Sequence, residues 1–243
     1  MPWRFDAATL RLEAGGSKRG YLSQSLGVTM NEAQAFHPFE TLATALIPHS
    51  HEGDDGSHDL AHILRVFKNA MRIQAHEGGD ARVLAAAVLL HDCVAVEKNS
   101  PLRAQASALA AEKASGVLGA LGWPQADIAA VAHAVLTHSF SANIDPQTLE
   151  AKILQDADRL DAIGMVGAGR CFYIGGRMAS SLYDPLDPAA GNRPLDDKRY
   201  VIDHFQTKLF KLADGFKTAA GRALAAERDK RLRDFLDAFM DEI

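Results

Sequence analysis

The chain has 243 residues, 47% of them hydrophobic and 23% charged, with a net charge of −5. That size and balance suit a globular protein and exclude a general nucleic-acid coat, which would need a basic surface. Its two cysteines, Cys93 and Cys171, supply no disulfide framework. No apolar run is long enough to cross a bilayer, and the N-terminus lacks the apolar stretch of a secretory signal, so a cytoplasmic location is the default expectation.

Residues 1–30 are read as a flexible N-terminal extension, because Gly15-Gly16-Ser17-Lys18-Arg19-Gly20 favours a loop. Met30 offers an internal start, and the domain is taken as 31–243, with the compact part from near Phe36. Phe39, Leu42, Ala43 and Leu46 have helical spacing, and Pro48 ends that helix. After a polar loop, Ser57 is a good N-cap for a helix over 58–76. Leu60, Ile63, Leu64, Phe67, Ala70 and Met71 form its apolar stripe, and Gly78-Gly79 closes it. Asp80 caps Val83-Leu84-Ala85-Ala86-Ala87-Val88-Leu89-Leu90, eight apolar residues in a row that read as a segment buried on all sides.

Pro101 opens an alanine-rich helix over 101–121, Pro124 one that ends near Thr137-His138, and Pro146 one that runs past Leu160. The glycine-broken stretch Gly164 to Gly176 is expected to be a helix packed closely on a neighbour, and 183–198 a long loop. Two last helices are placed over 197–214 and 216–241. No period-2 run of β-branched residues occurs, so the fold class is all-α, a single domain of about seven to nine helices.

Chemistry is concentrated at three places. His91-Asp92 ends the buried run. Burying an imidazole and a carboxylate without partners costs several kcal/mol or more, and a divalent cation would satisfy both; the alternative is a histidine capping carbonyls before a loop aspartate. His58 and His62 lie four apart on one helix face with Asp59 between them, an arrangement shared with zinc proteases, or else a solvated face. Asp156, Asp158 and Asp161 lie on a later helix. Asp158 falls on the side of Leu154 and Ile163, where a carboxylate needs a cation or donors; the alternative is a charged surface turn with Arg159 pairing locally. Two imidazoles and two carboxylates suit a hard or borderline ion such as Mn²⁺, Mg²⁺, Fe²⁺, Co²⁺ or Ni²⁺ rather than a thiolate-type zinc site.

With His58-Asp59-Leu60-Ala61-His62, Leu90-His91-Asp92 and Asp156-Ala157-Asp158 on separate helices in this order, the chain resembles the HD-domain metal-dependent phosphohydrolases. Pro101–Ser107 and Thr137-His138-Ser139-Phe140-Ser141 look like the small bacterial branch, and the resemblance covers about 36–220. It implies packed helices that hold one divalent metal through His62, His91, Asp92 and Asp158. It implies hydrolysis of a phosphate ester or anhydride, most often of a nucleotide, with cleavage of nucleoside triphosphates to monophosphate and pyrophosphate the nearest activity. A metal there would acidify water and polarise a phosphoryl oxygen.

Around that metal, His91, Asp92, Glu97 and His138 are the candidate catalytic residues; Glu97 would be a base or hydrogen-bond acceptor and His138 a proton donor. Lys98, Arg103 and His58 are the candidate substrate contacts, with Arg65 and Ser107 structural. His133 and His138 are five apart, an ill fit to the two-metal arrangement of some relatives; one metal is favoured and two stay open. The expected partner is a small phosphorylated substrate, with no membrane and no nucleic-acid polymer; a homodimer stays open. The competing readings are a nucleotide-binding regulatory HD module without turnover, a di-iron HD oxygenase, and a protease built on His58 and His62.

Overall fold

The computed structural model describes residues 30–50, 59–96, 105–139 and 143–243. The calls on residues 1–29, on Ser57 and His58, and on Glu97, Lys98 and Arg103 lie outside them. Among the described residues there are ten α-helices and no strand; a single isolated bridge pairs Ser181 with Tyr200. The helices are α1 (Met30–Gln34), α2 (Glu40–Leu46), α3 (Leu60–Glu77), α4 (Ala81–Leu90), α5 (Ala106–Ala120), α6 (Gln125–Thr137), α7 (Leu149–Asp161), α8 (Gly164–Arg177), α9 (Phe210–Leu212) and α10 (Ala219–Met240). Two of them, α1 and α9, are only five and three residues long.

The apolar run builds the centre. Every residue from Val83 to Leu90 is buried, and α4 is packed by α2, α3, α6 and α7. A helix with no polar face is stable only when neighbours surround it. Asp80 starts it as expected, its Oδ1 accepting from the amides of Arg82 and Val83 at 2.8 and 3.0 Å. Because α4 is buried from Val83 to its C-terminal end, the residue that follows it also lies inside.

Several helix boundaries differ from the sequence expectation, each for a local reason. Asp59, not a residue before it, caps α3, its Oδ1 accepting from the His62 amide at 2.8 Å. That places the acid between the two histidines at a helix start rather than in a metal-protease role. Thr148 caps α7 through the Ala151 amide, so this helix starts three residues beyond Pro146. Pro124 occupies the N-cap of α6. The helix expected over 197–214 begins late: Arg193 grips Asp203 at 2.5 and 2.9 Å and Tyr200 donates to Asp184 at 2.8 Å, and helical backbone then runs over 203–215 with a wide turn at Phe205–Leu209. The loop over 183–198 and the helix over 164–176 agree with expectation. Gly164 begins α8 at φ +72°, a left-handed backbone that lets the chain reverse directly after α7.

Polar ties lock α7 into the bundle. Asn69 of α3 donates to the Ala157 carbonyl at 3.1 Å, and Gln155 donates to the Thr137 carbonyl of α6 at 2.7 Å. Asp156, fully buried, accepts from the amides of Lys217 and Thr218 and from the Thr218 hydroxyl at 2.7–2.8 Å. It thereby holds the start of α10. A Cβ on Gly221 would come within 2.3 Å of its Oδ2, which explains the glycine in that first turn. Arg228 of α10 donates to the Leu160 carbonyl and, at 2.8 Å, to Asn69 Oδ1.

Candidate metal centre

Three helix ends meet beside the core: the first turn of α3 and the C-terminal ends of α4 and α6. They bring His62, His91 and His138 together, all nearly or wholly buried. The His62 and His91 ring centroids are 5.2 Å apart, and those of His91 and His138 are 5.1 Å apart. Asp92 and Asp158, each a quarter exposed, complete the group.

Each imidazole presents its Nε2 to the centre. His62 Nε2 lies 3.1 Å from His91 Nε2, 3.5 Å from Asp92 Oδ2 and 3.6 Å from Asp158 Oδ1. His91 Nε2 lies 3.3 Å from Asp92 Oδ2, and His138 Nε2 lies 3.6 Å from Asp92 Oδ1. The other nitrogen of every ring faces an acceptor. His91 Nδ1 donates to the Val88 carbonyl at 2.7 Å, His138 Nδ1 to the Val135 carbonyl at 2.6 Å, and His62 Nδ1 to Asp161 Oδ2 at 2.8 Å. A carbonyl or carboxylate only accepts, so Nδ1 carries a proton in each ring and Nε2 is the atom left to face the centre, open to a proton or a cation. Three Nε2 atoms and two carboxylates thus converge on one point.

Such a set draws positive charge. Burial is the strongest single influence on His62 and opposes charging it. The Asp161 hydrogen bond, then that of Asp92 and the field of Asp158, outweigh burial and push the ring up to about 9. Burial likewise opposes a charge on His138, but its contact with Asp92 raises it. Burial would raise Asp92; the adjacent His91 and the hydrogen bonds of His138, His62 and His91 hold it well below the usual carboxylate range. The negative ends of the α4 and α6 dipoles point the same way.

A divalent cation fits the arrangement. Ligands about 2.1 Å from one ion stand about 3 Å apart along an octahedral edge, close to the 3.1 and 3.3 Å separations among His62, His91 and Asp92. These three form the compact metal-competent cluster among the described residues. Asp158 reaches it through His62.

Of the sequence-derived site residues, His62, His91, Asp92, Asp158 and His138 come together. His133 does not join them; its Nε2 accepts from the Gln147 amide at 3.0 Å. Asp156 is structural, and Arg159 donates to the Gly215 carbonyl rather than pairing at a surface turn. Sequence reasoning gave Asp161 no role and Arg170 only that of a fallback phosphate contact, yet Asp161 is 1% exposed and receives His62, Arg65 and Arg170. The three-residue step from Asp158 was the only local signal for it.

The helical bundle and this centre define a protein of the HD-domain class, and the chain belongs to that family. The HD domain family model matches residues 59–163, which span the ligating cluster. Over 187 residues the chain is 31% identical to YpgQ of Bacillus subtilis (strain 168), an uncharacterized protein, covering 75% of this chain and 83% of that one. A crystal structure of an HD-superfamily hydrolase from Bacillus thuringiensis is 31% identical, with 88% of this chain and 98% of that chain covered and a TM-score of 0.61. The crystal structure of B. subtilis YpgQ in complex with ADP is 28% identical, with 88% and 96% covered and a TM-score of 0.64.

Proposed function

We propose that the chain is a metal-dependent phosphohydrolase acting on nucleotides, with one divalent cation held by His62, His91, Asp92 and Asp158. The observation that carries this is the convergence of three imidazole Nε2 atoms and two carboxylates at one point, 3.1–3.6 Å apart. The nucleotide part is supported by the ADP bound to the similar YpgQ. Cleavage of a nucleoside triphosphate to monophosphate and pyrophosphate is the narrower form of the reading. His133 bonded to Gln147 favours one metal over two.

When bound, the cation supplies Lewis acidity toward a phosphoryl oxygen and a nucleophile from water at neutral pH. The protein's own groups do the rest. His91 and Asp92 hold their atoms in place through the buried end of α4. His138, its pKa raised beside Asp92, keeps a proton available for the leaving oxygen. Lys98 and Arg103 contact the phosphates, His58 contacts the substrate, and Glu97 acts as base or acceptor. Arg65 and Arg170 are engaged with Asp161, and Arg159 with the Gly215 carbonyl. Removing such a contact is expected to lower kcat/KM roughly ten- to a hundredfold, for a loss of about 1.5–3 kcal/mol, with metal affinity unchanged.

The test is a metal-by-substrate panel. Metal-stripped protein is reloaded with Mn²⁺, Mg²⁺, Fe²⁺, Co²⁺ or Ni²⁺ and given nucleoside mono-, di- and triphosphates and simple phosphate esters, with products identified by mass. Metal-dependent hydrolysis of a nucleotide is expected. Binding without turnover on every nucleotide would favour the regulatory module instead.

A further inference from the structure

The three imidazoles of the centre are oriented in two different ways. His91 and His138 each follow the last residue of a helix, where backbone carbonyls have no intrahelical amide to bind. Their rings fold back onto the carbonyl three residues earlier, Val88 and Val135, and orient themselves. His62 sits in the first turn of α3, where the orphan groups are amides. The Nδ1 proton of His62 goes instead to an acceptor from elsewhere in the fold. Asp161, at the far end of α7, is that acceptor.

Asp161 is itself held from two sides. Arg65, one turn along α3, donates Nε to Oδ1 at 2.6 Å and Nη2 to Oδ2 at 3.0 Å. Arg170 of α8 donates Nη1 to Oδ2 at 2.5 Å and to the Asp161 carbonyl at 3.3 Å. Both guanidiniums therefore bond the carboxylate that backs the His62 ring on the side away from the centre. We infer that Asp161, braced by Arg65 and Arg170, is the positioning residue that fixes the tautomer and direction of His62 and so sets the affinity of the site for its cation. The role rests on the proposed metal site. A carboxylate behind a ligating imidazole fixes the ring and raises its basicity, and loss of such a partner typically weakens metal binding 10–100-fold.

The experiment titrates metal-stripped wild type and Asp161→Asn with Mn²⁺ alone by calorimetry. Alongside, nitrogen-15 spectra of the His62 ring are recorded on wild type loaded with Zn²⁺ as a diamagnetic probe. Wild type is expected to bind Mn²⁺, with Asp161→Asn about 10–100-fold weaker, and His62 to show a protonated Nδ1 with its Nε2 on the ion. Excess Mn²⁺ should restore most of the variant's turnover, an outcome a merely collapsed site would not give. A folded Asp161→Asn that binds Mn²⁺ within about threefold of wild type overturns the role. If that variant does not fold, the wild-type spectrum decides, and His62 bound through Nδ1 or protonated on Nε2 overturns it equally. Wild type that binds neither ion overturns the metal site itself, a separate result.

Discussion

Asp156 and Asp92 are both set against the interior of the helical bundle, and their surroundings are opposite in kind. Asp156 meets two backbone amides and a hydroxyl, all donors, at 2.7–2.8 Å. Asp92 meets three imidazole Nε2 atoms at 3.3–3.6 Å, each able to hold a proton or yield it to a cation. A buried carboxylate whose oxygens are matched by permanent donors is part of the framework. One matched only by groups that can exchange a proton for a metal marks the site.

That contrast can be broken most sharply at Asp92. Asp92→Ala is expected to abolish metal binding and turnover together, and the rise in Tm that Mn²⁺ gives wild type by mass action should vanish. Full metal content in folded Asp92→Ala, measured by atomic emission, would falsify the assignment.

Asp156→Ala should do the reverse. It leaves buried donors unmatched at the start of α10, for a loss of about 2–4 kcal/mol and a fall in Tm of roughly 5–15 °C. Mn²⁺ affinity of the folded fraction should stay within about threefold of wild type, because no ligand is touched. A Tm within a degree or two of wild type would show that Asp156 is not part of the framework.

A smaller effect comes from pH. His62, pushed up to about 9 in the metal-free protein, keeps its proton at neutral pH. Its contribution to metal-free stability is full below its ordinary value near 6.5 and is lost as pH rises through about 9. The cation displaces that proton, so Mn²⁺ affinity should climb by about tenfold per pH unit between 7 and 9. Calorimetry in buffers of different ionisation enthalpy should show about one proton released at pH 7; no release would mean that the centre carries no such proton.

The smallest expected change is at Thr148, which caps α7 ahead of Asp156, Asp158 and Asp161. Thr148→Ala should lower stability by about 1 kcal/mol, read as a Tm shift of a few degrees, with no change in metal affinity. A clear loss of metal affinity would show that the site responds to fraying at the other end of the helix.

Much of the architecture was legible because its causes are local. Eight consecutive apolar residues could only be a surrounded helix, and His62, His91-Asp92 and Asp158 stand in a familiar order. What escaped the sequence depends on distance. Asp161 finds Arg65 across 96 positions and His62 across 99, and no periodicity reports such a meeting. Asp156 looked like one of three similar acids until α10 was seen to start upon it. The helix expected over 197–214 starts late, at Asp203, because Arg193, Asp203, Tyr200 and Asp184 tie the preceding residues into a loop by side-chain bonds that a helical pattern does not exclude.

The bonds of Arg228 have a consequence for how portable the centre is. From α10, well beyond the 59–163 span of the family match, this one side chain reaches the Leu160 carbonyl on α7 and Asn69 on α3. Asn69 in turn holds the Ala157 carbonyl, beside Asp158. The two helices that bring His62 and Asp158 face to face are thus cross-braced by a segment that carries no ligand. A fragment cut at the family boundary would retain all four proposed ligands and lose the strut that spaces them. Grafting the centre into another scaffold, or trimming this chain to a minimal enzyme, therefore requires carrying the last helix along.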